Sequence, residues 1–124
     1  MEDDIGAVGV VRHRAADVLA GWGVGPDVRE EALLLLSELT TNALLHGRPP
    51  VEVRLSRDRR HLTLEVHDSA PTLPRRAHPG EDDEHGRGLL LVSLIAQRWG
   101  TRPTPAGKAV WCVLDLPQEL LASR

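Results

Sequence analysis

Two polar side chains that could act together on a bound metal–phosphate group lie four residues apart, at Glu38 and Asn42. In a helix they would lie about 40° apart on one face. Their surroundings are rich in leucine, so both side chains should be half-buried and would need partners. A carboxylate can act as a general base, and a carboxamide oxygen can ligate Mg²⁺. The alternative is a polar pair on the solvated flank of a helix.

A glycine-containing segment, Gly86 to Leu89, is a candidate for binding phosphate. Glycines let the backbone approach an anion closely, and the free N–H groups at the start of a helix bind phosphate. An apolar helix is predicted directly after this segment, to about Gln97, and a long polar loop, Ser69 to His85, precedes it. The alternative is the flexible end of a loop.

Asp68 is the third candidate, because it ends a predicted strand and begins the long loop. A carboxylate at that position can accept a hydrogen bond from the exocyclic amine of a purine, although an aspartate that initiates a turn is common.

The histidines, serines and the cysteine give weaker indications of a functional site. The histidines show no metal-ligand spacing, Ser37 and Ser93 lack a nearby His–carboxylate pattern, and Cys112 is predicted to be a small buried hydrophobe.

Hydrophobic periodicity predicts the helices that position these groups. Apolar residues recur at helical spacing over about Gly6–Trp22 and over about Val28–His46. Asp27 is predicted to cap the second helix, with Glu30 as its capping-box partner. Gly47 stands where a C-terminal glycine is expected.

Alternating apolar and polar residues predict the strands, at about 51–56, 61–68, 99–102 and 108–116. Neighbouring strands without crossover helices indicate an antiparallel or mixed sheet. We therefore expect a single domain over residues 1–124, in which the long loop at 69–85 is either a functional lid or disordered. Its fold would be an α+β two-layer sandwich, in which a mixed, mostly antiparallel sheet is covered on one face by about three helices.

Composition argues against several classes of protein. The 124 residues include 15 Lys+Arg and 18 Asp+Glu, for a net charge of −3, which argues against non-specific nucleic-acid binding. The single cysteine excludes an internal disulfide framework and a multi-cysteine metal site. No apolar run approaches the ~18 residues of a membrane span, and the acidic N-terminus does not resemble a signal peptide. We expect a cytoplasmic protein that binds neither nucleic acid nor a membrane directly.

Taken in chain order, these pieces resemble the GHKL (Bergerat-fold) ATP-binding superfamily. Within it, the chain looks most similar to bacterial anti-sigma-factor serine kinases and their small relatives in high-GC bacteria. Ser37–Gly47 resembles the N-box, Val66–Pro71 the first ATP-contacting box, Gly86–Val92 the second, and Gly107–Trp111 the closing strand. The resemblance spans about Ala7 to Leu116.

The resemblance implies a role for each candidate residue. Asn42 would ligate the Mg²⁺ that bridges the phosphates of ATP, Glu38 would be the general base, and Asp68 would accept a hydrogen bond from the adenine amine. Gly86, Gly88 and the backbone of Leu89 would hold the phosphates beneath an ATP lid formed by Ser69 to His85. His46 and Arg87 would be neighbours of the phosphates.

The chain departs from the superfamily pattern at two places. Asp68 is followed by Ser69, Ala70 and Pro71, whereas the superfamily carries glycines after this aspartate. Ala109 stands in the closing strand, where a threonine is common in the superfamily.

The function implied by the resemblance is that of an ATP-binding anti-sigma factor with serine/threonine protein kinase activity. Such a protein binds a sigma factor and phosphorylates a small, serine-containing antagonist protein, and a homodimer is a further expectation. Two alternatives stay open. One is a nucleotide-binding interaction module that sequesters its partner without phosphate transfer, and the other is a stand-alone ATPase domain that works with a separate sensor.

Overall fold

A computed structural model describes residues 2–71 and 92–117 of the chain. In chain order its elements are α1 (Glu2–Gly21), α2 (Pro26–His46), β1 (Glu52–Arg57), β2 (His61–Asp68), β3 (Arg98–Thr104) and β4 (Gly107–Asp115). Residues 92–95 are also helical. This order agrees with the predicted succession of two helices, a hairpin, a further helix and a second hairpin.

The first helix is longer than predicted and begins at Glu2 rather than at about Gly6. Gly6 and Gly9 lower the helix propensity of this segment, but neither adopts a positive φ that would interrupt the helix. Although α1 and α2 are long, no helix within residues 2–71 and 92–117 is both long and apolar enough to cross a membrane.

The second helix begins differently from the prediction. Gly25, in an extended conformation, is the N-cap and makes no side-chain capping hydrogen bond, and Pro26 occupies the first turn. Proline suits that position because its φ is preset and its missing N–H would have had no partner there. The predicted Asp27–Glu30 capping box is therefore wrong. Asp27 lies inside the first turn, where its negative charge still interacts favourably with the helix dipole.

The four described strands form one sheet in the order β1-β2-β4-β3. Every neighbouring pair is antiparallel, so the parallel pairing of a mixed sheet does not occur among these strands. The two hairpins are antiparallel because of their short connections, and β4 returns from the edge strand β3 to lie beside β2. The α+β class predicted from the sequence is confirmed.

The strand bounds agree with the prediction for β2 and differ for the second hairpin. β3 continues to Thr104, beyond the predicted end at Arg102. Pro103 does not disrupt the pairing of β3 with β4, because β3 is an edge strand and the backbone N–H groups on its outer side need no partner strand. The turn is consequently confined to Pro105 and Ala106.

The hydrophobic core lies between one face of the sheet and the helices. Alternate residues of β2 and β4 point into it, as a half-buried sheet requires. Helix α2 packs against β2, and α1 packs against α2. The buried core side chains of these four elements include Ala15, Leu19, Leu35, Leu36, Leu39, Leu62, Leu64, Val66, Val110, Cys112 and Leu114.

Two polar side chains are buried among the residues that the structure describes, those of Thr40 and Asp68. The Thr40 hydroxyl lies on the core side of α2 and has no hydrogen-bond partner in this part of the chain. Asp68 lies at the end of β2, where several donors surround its carboxylate. A buried carboxylate with several donors is unusual in a domain of this size and marks one end of the sheet for closer attention.

Candidate functional site

Helix α2 carries Glu38 and Asn42 as half-buried side chains. The rise of an α-helix separates the two residues by about 6 Å along its axis. Within the described ranges, neither the Glu38 carboxylate nor the Asn42 carboxamide makes a side-chain hydrogen bond, whereas the nearby Ser37 hydroxyl donates to the Leu33 carbonyl oxygen at 2.8 Å. Within the described residues both groups therefore keep their hydrogen-bonding capacity, and the predicted half-burial is confirmed.

Helix α2 ends directly against Asp68. The Gly47 N–H donates to the Ala43 carbonyl oxygen at 2.8 Å, so the glycine follows the helix as predicted. Its φ is −99°, which any residue can adopt. A Cβ on Gly47 would lie 2.5 Å from Asp68 Oδ2 and 2.6 Å from Asp68 Cγ. The glycine is required here by the close approach of the carboxylate, not by a left-handed helix cap.

Backbone donors hold one oxygen of the Asp68 carboxylate. Oδ1 accepts a hydrogen bond from the Ala70 N–H at 2.7 Å and a long one from the Arg48 N–H at 3.5 Å. The segment after α2 is tied to the end of β2 by two further bonds, from the Ser69 N–H to the Arg48 carbonyl at 2.9 Å and from the Ser69 hydroxyl to the Pro49 carbonyl at 2.7 Å. The carboxylate is thus fixed in orientation.

The other oxygen of Asp68 is paired with Lys108. Its Nζ donates to Asp68 Oδ2 at 2.5 Å, and the two side chains are 18% and 1% exposed, respectively. Asp68 and Lys108 lie directly opposite each other in the β2–β4 register. Before Lys108, a Cβ on Gly107 would overlap the Asp68 carbonyl oxygen, so this glycine too allows a close approach.

Sequence reasoning did not assign Lys108 to the site. The available signal was its status as the only lysine of the chain, at the start of a strand whose partner was unknown. Knowledge that β4 pairs with β2 would have placed the lysine opposite Asp68, because residues opposite each other in an antiparallel pair project from the same face of the sheet.

The structure brings some of the predicted residues together. Asn42 lies about 7.5 Å along the helix axis from Gly47, which contacts the Asp68 region. His46 is exposed in the last turn of α2. The predicted phosphate-binding residues Gly86, Arg87, Gly88 and Leu89, and the predicted lid from residue 72 onwards, lie outside the described residues.

Among the described residues, no group of three or more histidine, cysteine, aspartate or glutamate side chains could hold a metal ion. A metal held by Asn42 would take its remaining ligands from phosphate and water. This arrangement suits Mg²⁺, which keeps several waters and binds through one or two protein groups plus the phosphates of a substrate. The available carboxamide of Asn42 fits that requirement.

A cavity of about 510 Å³ lies at the same end of the sheet but does not contain Glu38 or Asn42. Its charged lining includes Glu52, His67 and Arg102, which the alternation of the strands places on the face turned away from α2. On that face, Glu65 pairs with His67 at 2.7 Å and with Arg102 at 3.1 Å. Asp68 also lines this cavity. The cavity therefore adjoins the candidate site at that residue, whereas neither Glu38 nor Asn42 of α2 lines it.

The two-layer fold, the polar pair on α2 and the aspartate against the end of that helix together define a domain of the GHKL class. The comparison with protein-family models agrees, since the model described as a histidine kinase-like ATPase domain matches residues 1–114. The chain therefore belongs to the histidine kinase-like ATPase domain family. Membership implies ATP binding, generally with Mg²⁺. A comparison with curated protein sequences gave no significant match.

Proposed function

We propose that this chain is an ATP-dependent regulator, an anti-sigma factor with serine/threonine protein kinase activity. The observation that supports the proposal is the arrangement of α2. Its available Glu38 and Asn42 side chains lie one turn apart, and its C-terminal end contacts the buried Asp68. The proton acceptor and the metal ligand then lie on one helix, and the acceptor for a purine amine lies at the end of β2, against the C-terminal end of that helix.

In this proposal each residue has a separate role. Asn42 holds Mg²⁺ through its carboxamide oxygen, and Mg-ATP supplies the phosphoryl group. Glu38 would take the proton of the acceptor serine hydroxyl while the serine oxygen bonds to the γ-phosphorus of ATP. The bond between the γ-phosphorus and the oxygen that bridges it to the β-phosphate would break, and ADP would leave. Asp68 accepts a hydrogen bond from the adenine amine and sets the position of the nucleotide.

The proposed partners are a sigma factor, which the domain sequesters, and a small antagonist protein that carries the acceptor serine. A homodimer and a cytoplasmic location belong to the same proposal. They rest on the resemblance of Ser37–Gly47 and Val66–Pro71 to the boxes of anti-sigma-factor kinases, together with membership in the ATPase family.

The test of the proposal is Mg-ATP titration by calorimetry, followed by transfer of labelled γ-phosphate to candidate antagonists encoded by neighbouring genes. Glu38→Gln is expected to keep the ATP affinity and to lose about 10²–10⁴-fold in transfer rate, the usual contribution of a general base. Glu31→Gln, an exposed glutamate on the same helix, is the matched control and should behave like the wild type.

Asn42→Ala separates metal binding from proton transfer. Because a ground-state ligand is lost, this variant should lose Mg²⁺-dependent ATP affinity and phosphate transfer together. Thr41→Ala, exposed on the same helix, is its control. Wild-type protein that does not bind Mg-ATP would overturn the proposal as a whole. Binding of ATP and of a sigma factor without transfer to any antagonist would overturn the kinase activity and favour a sequestering module.

A further inference from the structure

The pair of Asp68 and Lys108 has a property that the proposed roles do not use. The side chain of Asp68 is 1% exposed, and Lys108 Nζ is 2.5 Å from its Oδ2. Burial of an ionised carboxylate is strongly unfavourable unless a cation and hydrogen-bond donors compensate it. Lys108 is the cation in hydrogen-bond contact with this carboxylate in the described part of the chain.

The donors around Asp68 divide between its two oxygens. Backbone N–H groups of Ala70 and Arg48 lie at Oδ1, and the charged Lys108 ammonium lies at Oδ2. A carboxylate has about four lone-pair positions, so the three donors leave capacity for one more. While it is ionised, the carboxylate can only accept hydrogen bonds, whereas a protonated carboxyl can also donate one.

Resting on the proposed role of Asp68 towards the base, we propose that Lys108 is a positioning residue that determines selectivity for adenine over guanine. By compensating the buried charge, Lys108 keeps Asp68 an acceptor with a fixed orientation. An acceptor suits the amine at position 6 of adenine and repels the carbonyl oxygen at position 6 of guanine. Without the lysine, the carboxylate loses the charged partner that holds Oδ2 and can turn away, and the site can then tolerate the carbonyl.

The geometry confines the carboxylate in the way that this role requires. Lys108 is held opposite Asp68 by the β2–β4 register, and Gly107 and Gly47 both leave space that a Cβ would take from the Asp68 region. Three elements, α2, β2 and β4, therefore converge on one carboxylate and leave its orientation little freedom.

The experiment measures the dissociation constants of ATP and GTP for the wild type, Lys108→Met and Lys108→Arg. Hydrogen bonds to charged groups correspond to about tenfold to hundredfold in affinity, so Lys108→Met should lower the GTP-to-ATP ratio of dissociation constants by at least about tenfold. Lys108→Arg should restore most of the ratio because it returns the cation. Arg102→Met removes a cation from the neighbouring strand on the opposite face and should leave the ratio unchanged.

A second variant guards against a failure to fold. Lys108→Gln keeps a hydrogen-bond donor near Oδ2 but removes the charge, and it should also lose the selectivity. If the wild type prefers ATP and both neutral variants keep the wild-type ratio, the inference is overturned while the proposed function stands. If the wild type binds no ATP, the proposed function fails, and this inference fails with it.

Discussion

Replacing Gly47 by alanine tests whether the Asp68 carboxylate is confined as the structure indicates. The new Cβ would lie 2.5 Å from Asp68 Oδ2 and 2.7 Å from the Ala43 carbonyl oxygen, whereas ordinary contacts of this kind are 3.4–4 Å. The carboxylate would therefore have to move by about 1 Å. This movement would disrupt its hydrogen bond with the Lys108 ammonium. The backbone conformation itself is acceptable to alanine, because φ is negative.

The magnitude follows from the two opposing effects. Disrupting a buried ion pair so that one charge loses its partner costs about 3–5 kcal/mol. The lower entropy of alanine in the unfolded chain returns about 0.4–1 kcal/mol. The free energy of unfolding should therefore fall by about 2–5 kcal/mol, measured by urea denaturation followed by circular dichroism.

Gly21→Ala is the matched control, since Gly21 also lies at the end of a helix but has nothing within 4 Å of its Cβ position. It should raise the free energy of unfolding by about 0.5–1 kcal/mol. A double-mutant cycle sharpens the test, because Gly47→Ala should cost much less when Lys108→Met has already broken the pair. Full additivity, or a Gly47→Ala protein as stable as the wild type, would refute the reasoning.

Two further predictions concern residues away from the site. Burial raises the pKa of Cys112 to about 12, so the folded protein should not react with a thiol reagent at neutral pH and should react once urea unfolds it; fast labelling of the folded chain would contradict this. The pKa of Asp58 is lowered from 3.8 because the N–H groups of Arg60 and His61 donate to its carboxylate. The contribution of the ionised Asp58 carboxylate to the free energy of unfolding should therefore be fully present above pH 3.8. It should be lost as the pH falls through the lower pKa that Asp58 has in the folded protein. Unfolding of the wild type and Asp58→Ala at several pH values checks this, and a stability difference that persists at the lowest pH would count against it.

The fold was largely predictable because burial imposes a local pattern on the sequence. Residues 61–68 alternate between core and surface, and the observed β2 has the predicted bounds. The start of α2 was not predictable in the same way, because two sequence patterns indicate different first residues. Asp27 and Glu30 match a capping box, whereas Pro26 after Gly25 matches a helix that begins at the proline, and the structure has the second arrangement. Local patterns also do not determine which strands pair, so the position of β4 between β2 and β3 came from the structure.

The placement of the candidate site residues was predictable to the extent that it depends on one element, whereas their roles stay predictions. The spacing of Glu38 and Asn42 places them on one helix face whatever the rest of the chain does, and Asp68 could be assigned to a strand end from alternation alone. The Lys108 contact depends on the β2–β4 register, and the reason for Gly47 depends on where α2 ends relative to β2. Such contacts join residues distant in sequence, and a single sequence carries no local signal for them.

The separation of Asp68 and Lys108 along the chain has a consequence for how the protein becomes active. The two residues are 40 positions apart, and contacts of such separation form only after the loop between them closes. A chain emerging from the ribosome has Glu38, Asn42 and Asp68 long before β4 exists to supply the lysine. Under the proposed role of Lys108, discrimination between ATP and GTP should therefore begin only when β4 has paired with β2, so this selectivity would report that the sheet has formed.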